Sequence, residues 1–193
     1  MRRAGEEELL EFLRDIDARL AGEKLRGKIT LYVFGGAAAV IAYGSTRGTV
    51  DIDAYVEDEG IRRKLVDWAG DGTELAKKHG IYFQSANITL MLIEEPEWKE
   101  RSVQILADRL EHIRVMAIGK EDLILSKLSR YNDRDREDIK FIAEKRGIDP
   151  KKLIAYYKSA RQYYVGRLET LDQTFNIVLE EHFGHKPIEF GGS

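Results

Sequence analysis

Leu31 to Glu57, LYVFGGAAAVIAYGSTRGTVDIDAYVE, is the stretch on which the reading of the whole chain turns. The apolar run Leu31-Tyr32-Val33-Phe34 predicts a buried strand. It stops at Gly35-Gly36, and a helix of small residues is expected over Ala37 to Tyr43. A polar turn, Ser45 to Thr49, leads into a second strand that opens with Asp51-Ile52-Asp53. Side chains alternate faces along a strand, so Asp51 and Asp53 share one face while Ile52 points into the core. Two carboxylates on one strand face, beside a glycine turn at a helix start, suit a divalent cation and a polyphosphate.

Each half of that signal is weak alone. A bare D-x-D more often marks an exposed strand with two solvated acids, and a bare Gly-Gly a tight turn with close helix–strand packing. Together they narrow the reading. Glycine lets backbone N–H groups approach a phosphate closely. Carboxylates are natural bridges for a pair of magnesium ions about 4 Å apart that hold both the attacking and the leaving oxygen in phosphoryl transfer. Magnesium, or manganese in its place, takes oxygen ligands and keeps several waters, so few protein carboxylates are needed. Arg47 and Thr49 precede the pair. Arg47 is placed to bind a phosphate and Thr49 a backbone group, and a plain surface turn reads equally well for either.

Outward from this stretch, Glu6 to Ala21 carries Leu9, Leu10, Phe12, Leu13, Ile16 and Leu20 at helical spacing, with acids at the positive end of the helix dipole. Lys24 to Lys28 reads as a connector. After the second strand, Ile61 to Ala69 is helical by pattern, and Thr73 caps a short helix through His79. Ile81 to Ile93 holds one or two strands, the clearer over Ile88 to Ile93, and Glu94 to Glu100 is a loop. Val103 to Leu106 and His112 to Ile118 are strands expected to pair across Asp108 to Glu111. From Glu121 onward only helices are expected: one with Leu123, Ile124, Lys127, Leu128 and Tyr131 on its spacing, one over Asp133 to Lys145, one opened by Asp149-Pro150 and running to about Tyr164, and one over Thr170 to Phe183. The fold class is therefore α+β. A mixed sheet with flanking helices occupies residues 1–118, and a helical region over 119–190 completes a cleft in which a site would lie.

The bulk composition limits the alternatives. A chain of 193 residues with 43% hydrophobic and 34% charged residues can bury a core and reads as a soluble globular protein. The absence of cysteine excludes disulfides, zinc–thiolate sites and thiol catalysis. No apolar run approaches the ~20 residues that span a bilayer, and the N-terminus lacks the apolar core of a signal peptide, so no membrane partner and a cytoplasmic location are expected. A net charge of −3 argues against wholesale coating by nucleic acid but not against a local basic patch. Such a patch is offered by Lys140 to Arg167, where basic residues alternate with Tyr156, Tyr157, Tyr163 and Tyr164. That pattern suits an RNA acceptor, and equally a charged helix whose tyrosines pack the core.

Phe34-Gly35-Gly36, followed after a slightly long spacer by Asp51-Ile52-Asp53-Ala54, resembles the motif of the DNA polymerase beta-like nucleotidyltransferase superfamily. The later segments Glu121 to Leu128, with Lys127, and Arg134-Asp135-Arg136-Glu137-Asp138-Ile139 resemble the AbiEii-like prokaryotic nucleotidyltransferase families. The resemblance covers roughly Tyr32 to Ile142. It implies transfer of a nucleoside monophosphate from an NTP such as ATP to an acceptor hydroxyl on an RNA end, a protein or a small molecule. Asp51 and Asp53 would hold Mg2+ or Mn2+, Gly35 and Gly36 would cradle phosphate, and Lys127 would touch the triphosphate. Asp135 or Asp138 would complete the site, as metal ligand or as base. An antitoxin or operon partner in a toxin–antitoxin or defence system is also implied. One departure stands out: many superfamily members carry a third carboxylate on a later strand, and Ile88 to Ile93 contains none. That leaves room for a nucleotide- or RNA-binding module without turnover. Lys127 also reads without the resemblance, as a long cation in an apolar helix that must snorkel or meet an anion. Asp135 and Asp138, at i,i+3 spacing, are neighbours on one helix face and could equally form surface ion pairs.

Overall fold

The computed structural model describes residues 3–86 and 96–191. Ile88–Ile93, the clearer strand expected from the sequence, lies outside the described residues. The described chain is an α+β fold of two compact units, the first formed by residues up to 86 with Lys99–Ile118, the second by residues 96–98 with Gly119 onward.

The first unit contains α1 (Glu6–Leu20), β1 (Ile29–Val33), α2 (Gly35–Ile41), β2 (Asp51–Tyr55), α3 (Glu59–Ala69), α4 (Glu74–His79), β3 (Tyr82–Ser85), β4 (Val103–Ile105) and β5 (Ile113–Ala117). The strands form one mixed sheet in the order β3-β2-β1-β5-β4. β1 runs antiparallel to β2 and parallel to β5, β3 runs parallel to β2, and β4 pairs antiparallel with β5 as the polar turn between them predicts.

Alternation along the strands sorts the sheet into two unlike faces. Leu31, Val33, Ile52, Ala54, Phe83, Ile113, Val115 and Ala117 are buried, as are Leu9, Leu10, Phe12, Leu13, Ile16 and Leu20 of α1 and Ala37 to Val40 of α2. Each fully buried leucine, isoleucine or phenylalanine contributes about 1.5–3 kcal/mol relative to exposure. The opposite face carries Thr30, Tyr32, Asp51, Asp53, Tyr55, Tyr82, Gln84 and Arg114, none of them buried. The polar character of this second face suits it to polar work.

Local chemistry explains the ends of the elements. Asp58 accepts the N–H of Ile61 at 3.0 Å to start α3, and Thr73 Oγ1 accepts that of Ala76 at 3.2 Å to start α4. Buried Asp17 on α1 accepts the N–H groups of Glu111 and His112 at 2.9 and 2.8 Å, which ties the helix to the entry of β5. A short 3-10 turn, Pro96–Lys99, stands where a loop was expected.

The second unit is helical: α5 (Lys120–Leu125), α6 (Asp133–Lys145), α7 (Pro150–Ala160) and α8 (Leu168–Phe183). Asp149 accepts the N–H of Lys151 at 2.9 Å with proline at the first helical position, as its sequence foretells. α7 tightens into a 3-10 turn over Arg161–Tyr163 instead of continuing as α-helix. α5 stops before Lys127, which sits in the turns that follow rather than within the helix. Among the described residues no helix is long and apolar enough to cross a membrane.

Candidate functional site

The glycine turn and the carboxylate strand meet in the first unit. β1 delivers the chain to Phe34, whose N–H bonds the carbonyl of Asp53 at 2.9 Å and so anchors the turn to β2. Gly35 has φ +56°, in the left-handed region, and a Cβ there would lie 2.9 Å from Asp53 Oδ2. Gly36 is excluded from bearing a side chain by a different neighbour: its Cβ would lie 2.7 Å from Thr49 Oγ1 and 3.0 Å from Thr49 Cβ. Both glycines are needed for close approach to the T-x-D-x-D segment, one to its last member and one to its first. Helix α2 begins at Gly35 itself, earlier than the small-residue run suggested.

Thr49 is fixed on both sides. Its backbone pairs with Ala4 in an isolated bridge, N–H to O at 2.7 and 3.0 Å, and its hydroxyl donates to Asp51 Oδ1 at 2.7 Å. Tyr82 comes beside the same carboxylate from the neighbouring strand, as the register partner of Asp51. Burial, and then the negative fields of Asp51, Asp53 and Asp71, push the Tyr82 phenol above its usual pKa, so it stays a protonated donor. Asp53 faces Gln84 across the same pairing. Tyr55, next along the face, lies 6.5 Å from Tyr32 between ring centroids, with the Lys99 ammonium 5.3 and 5.7 Å from the two rings and paired with Glu57. Arg47 lies in the loop before β2, its N–H on Ser45 Oγ at 3.4 Å.

Five of the sequence-selected residues, Gly35, Gly36, Thr49, Asp51 and Asp53, are thus linked by pairwise contacts into one cluster. Thr49 contacts a carboxylate rather than the backbone group foreseen for it. Tyr82 was not foreseen; β3 is short and no motif flags it, so only the strand register reveals its place. The β3 face offers Tyr82 and Gln84 and no acid. Among the described residues no group of three or more His, Asp or Glu side chains converges as a metal cage. Two half-exposed carboxylates on one strand face do fit magnesium, which binds through one or two carboxylates plus substrate phosphates.

Lys127, Asp135 and Asp138 come together in the second unit. The Lys127 ammonium donates to Asp138 Oδ2 at 2.6 Å and lies 3.5 Å from Asp135 Oδ1, with the side chains of Lys127, Asp138 and Asp135 only 4%, 5% and 1% exposed. Arg130 clamps Asp135 through two bonds of 2.8 Å, and Asp135 exchanges bonds with Asn132 in a capping box that starts α6. Burial favours the neutral form of Asp135. The Arg130 hydrogen bonds and the fields of Lys127 and Arg130 outweigh it and hold the carboxyl below its ordinary range. Tyr131, at φ 38°, reverses the chain between Lys127 and α6 and makes this closure possible.

A mixed sheet whose first strand ends in Gly-Gly against a D-x-D strand defines the nucleotidyltransferase class of fold. The chain belongs to a family described as "Nucleotidyltransferase of unknown function (DUF6036)", whose model matches residues 7–181. No curated protein and no solved structure matches it.

Proposed function

We propose that the protein is a magnesium-dependent nucleotidyltransferase using Asp51 and Asp53. The observation that carries this reading is the close fit of Gly35 and Gly36 against Asp53 and Thr49, which leaves no room for a single extra methyl beside the carboxylates. Such economy of volume serves an approaching phosphate better than it serves a plain turn. Asp51 and Asp53 would hold the metal. Bound there, magnesium would supply charge neutralisation at the phosphates and lower the pKa of an attacking hydroxyl. The acceptor hydroxyl would give its proton to solvent, its oxygen would bond to the α-phosphorus of an NTP, the bond from that phosphorus to the α–β bridging oxygen would break, and pyrophosphate would leave. Thr49 keeps Asp51 oriented, and Gly35 and Gly36 keep the backbone within reach of phosphate.

Direct use of Lys127, Asp135 or Asp138 at the triphosphate, the metal or the acceptor proton would require their buried ion pairs to open. We therefore assign the metal to Asp51 and Asp53 and give the other three a supporting role as the charged core of the helical unit. The AbiEii likeness suggests a toxin–antitoxin or defence setting, with an operon partner.

The acid-free face of β3 favours a second reading, a nucleotide-binding module without turnover. Pyrophosphate release from NTP in the presence of magnesium separates the two. Turnover by the wild type, lost in Asp53→Asn, supports the transferase. Magnesium-dependent NTP binding without pyrophosphate release under any acceptor tried supports the module.

A further inference from the structure

Between Pro150 and Leu168 the chain places five of its 31 Lys and Arg residues and none of its 34 Asp and Glu residues. The fold divides this segment by helical periodicity. Leu153, Tyr157 and Ala160 are buried, Lys151, Ala155 and Lys158 are exposed, and Lys152, Tyr156 and Ser159 form an adjoining stripe that is partly or fully exposed. Tyr157 leaves the surface altogether: its ring stacks on Phe175 at 3.8 Å and its hydroxyl donates to Asp172 at 2.6 Å. Arg161 is likewise committed, with two bonds of 2.7 and 2.9 Å to Asp172. Lys151, Lys152, Lys158 and Arg167 are not: among the described residues no carboxylate forms an ion pair with any of them. Just past the helix, Tyr163 is 44% and Val165 73% exposed. A chain of net charge −3 thus gathers unneutralised cations on one helix face and sets one exposed tyrosine ring just past the helix.

We propose that this face of α7, with Tyr163 just beyond its end, binds single-stranded nucleic acid. Lys151 and Lys158 are two turns apart, about 10.5 Å along the axis, and so can neutralise different phosphates of one strand. The tyrosine offers a flat surface for an unpaired base, which a duplex cannot present. An acidic protein would be met by the lysines alone and would have no use for the ring.

The test is fluorescence anisotropy with a labelled oligouridine of about 16 nucleotides, the upper end of a single-site footprint, titrated at several salt concentrations without NTP or metal. The wild type is expected to bind with clear salt dependence. Lys151→Glu/Lys158→Glu should weaken binding at least tenfold and flatten the log–log salt slope by about 1.4, at about 0.7 for each phosphate that is no longer neutralised. Tyr163→Ala should weaken it about fivefold or more with the slope unchanged. Asp51→Asn/Asp53→Asn should bind the RNA as the wild type does, so a failure of the transferase reading registers separately. If the double reversal lowers the melting temperature, Lys151→Gln/Lys158→Gln reads the same slope without charge inversion. Absence of binding by the wild type, or affinity and slope unchanged in the lysine variants, would overturn the proposal. So would a silent Tyr163→Ala together with equal competition by polyglutamate, which would mark an acidic protein as the partner.

Discussion

The two pairs of aspartates in this protein live in opposite surroundings. Asp51 and Asp53 stand side by side on the half-exposed face of a sheet, with Asp51 held by the neutral hydroxyl of Thr49. Asp135 and Asp138 are buried, and Lys127 and Arg130 supply their countercharge. A carboxylate oriented by neutral donors keeps its full charge for an incoming cation. A carboxylate closed into a buried network with lysine and arginine has its charge already answered and contributes to the fold instead. On the function proposed above, the same residue type serves binding in one unit and cohesion in the other.

Substitutions should separate the two roles by their effect on stability. The largest loss is expected from Asp138→Ala, which leaves the buried Lys127 ammonium with only the longer 3.5 Å contact to Asp135 and should cost about 3 kcal/mol in chemical denaturation. A loss below about 1 kcal/mol would mean that water or another group reaches Lys127, and the contrast between the pairs would fail. Next comes Asp172→Asn, which weakens the hold on Arg161 and Tyr157 and should cost about 2 kcal/mol at pH 7. Burial raises the Asp172 pKa, but the hydrogen bonds from Arg161 and Tyr157 bring it below the ordinary value. Its contribution is therefore full above the unfolded value of about 3.9 and fades as pH falls through the lower folded value. The wild-type advantage over Asp172→Asn should shrink below about pH 4, and urea melts across that range would show it.

Gly35→Ala should come third. The left-handed backbone costs a residue with a Cβ about 1–2 kcal/mol, and the new methyl would press on Asp53 Oδ2, so magnesium-dependent nucleotide binding should fall further than stability does. An equal loss in both would reduce the glycine to a turn former. The smallest effect on stability is expected from Asp51→Asn/Asp53→Asn, within about 0.5 kcal/mol of wild type. The asparagine oxygen still accepts from Thr49, and two adjacent like charges are removed.

The sequence made the first of these sites readable and the second only partly so. Strand, Gly-Gly, short helix and D-x-D follow one another without interruption, and local rules of alternation and turn chemistry suffice to place the two acids on one face. Asp149-Pro150 and Thr73 announced their helices for the same reason. What escaped depends on partners distant in the chain. Tyr82 comes beside Asp51 only through parallel pairing of β2 with β3, and nothing within Tyr82–Ser85 signals that register. Lys127 has helical spacing, yet α5 ends at Leu125, and the turn through Tyr131 brings Lys127, Arg130 and Asp135 together. Asp135 reads as a site acid, and nothing in the local sequence shows its capping bonds with Asn132 or its clamp by Arg130. Tyr157 reads as part of a basic aromatic surface until its ring is found stacked on Phe175, while Tyr163 stays outside.

The most direct test of the central claim is calorimetric titration of each of the four NTPs, with and without magnesium, into the wild type and into Asp51→Asn/Asp53→Asn. Magnesium-dependent binding of at least one NTP, lost in a double variant that melts as the wild type does, is the predicted result. Nucleotide binding that is indifferent to magnesium, or that survives intact in the double variant, would contradict it.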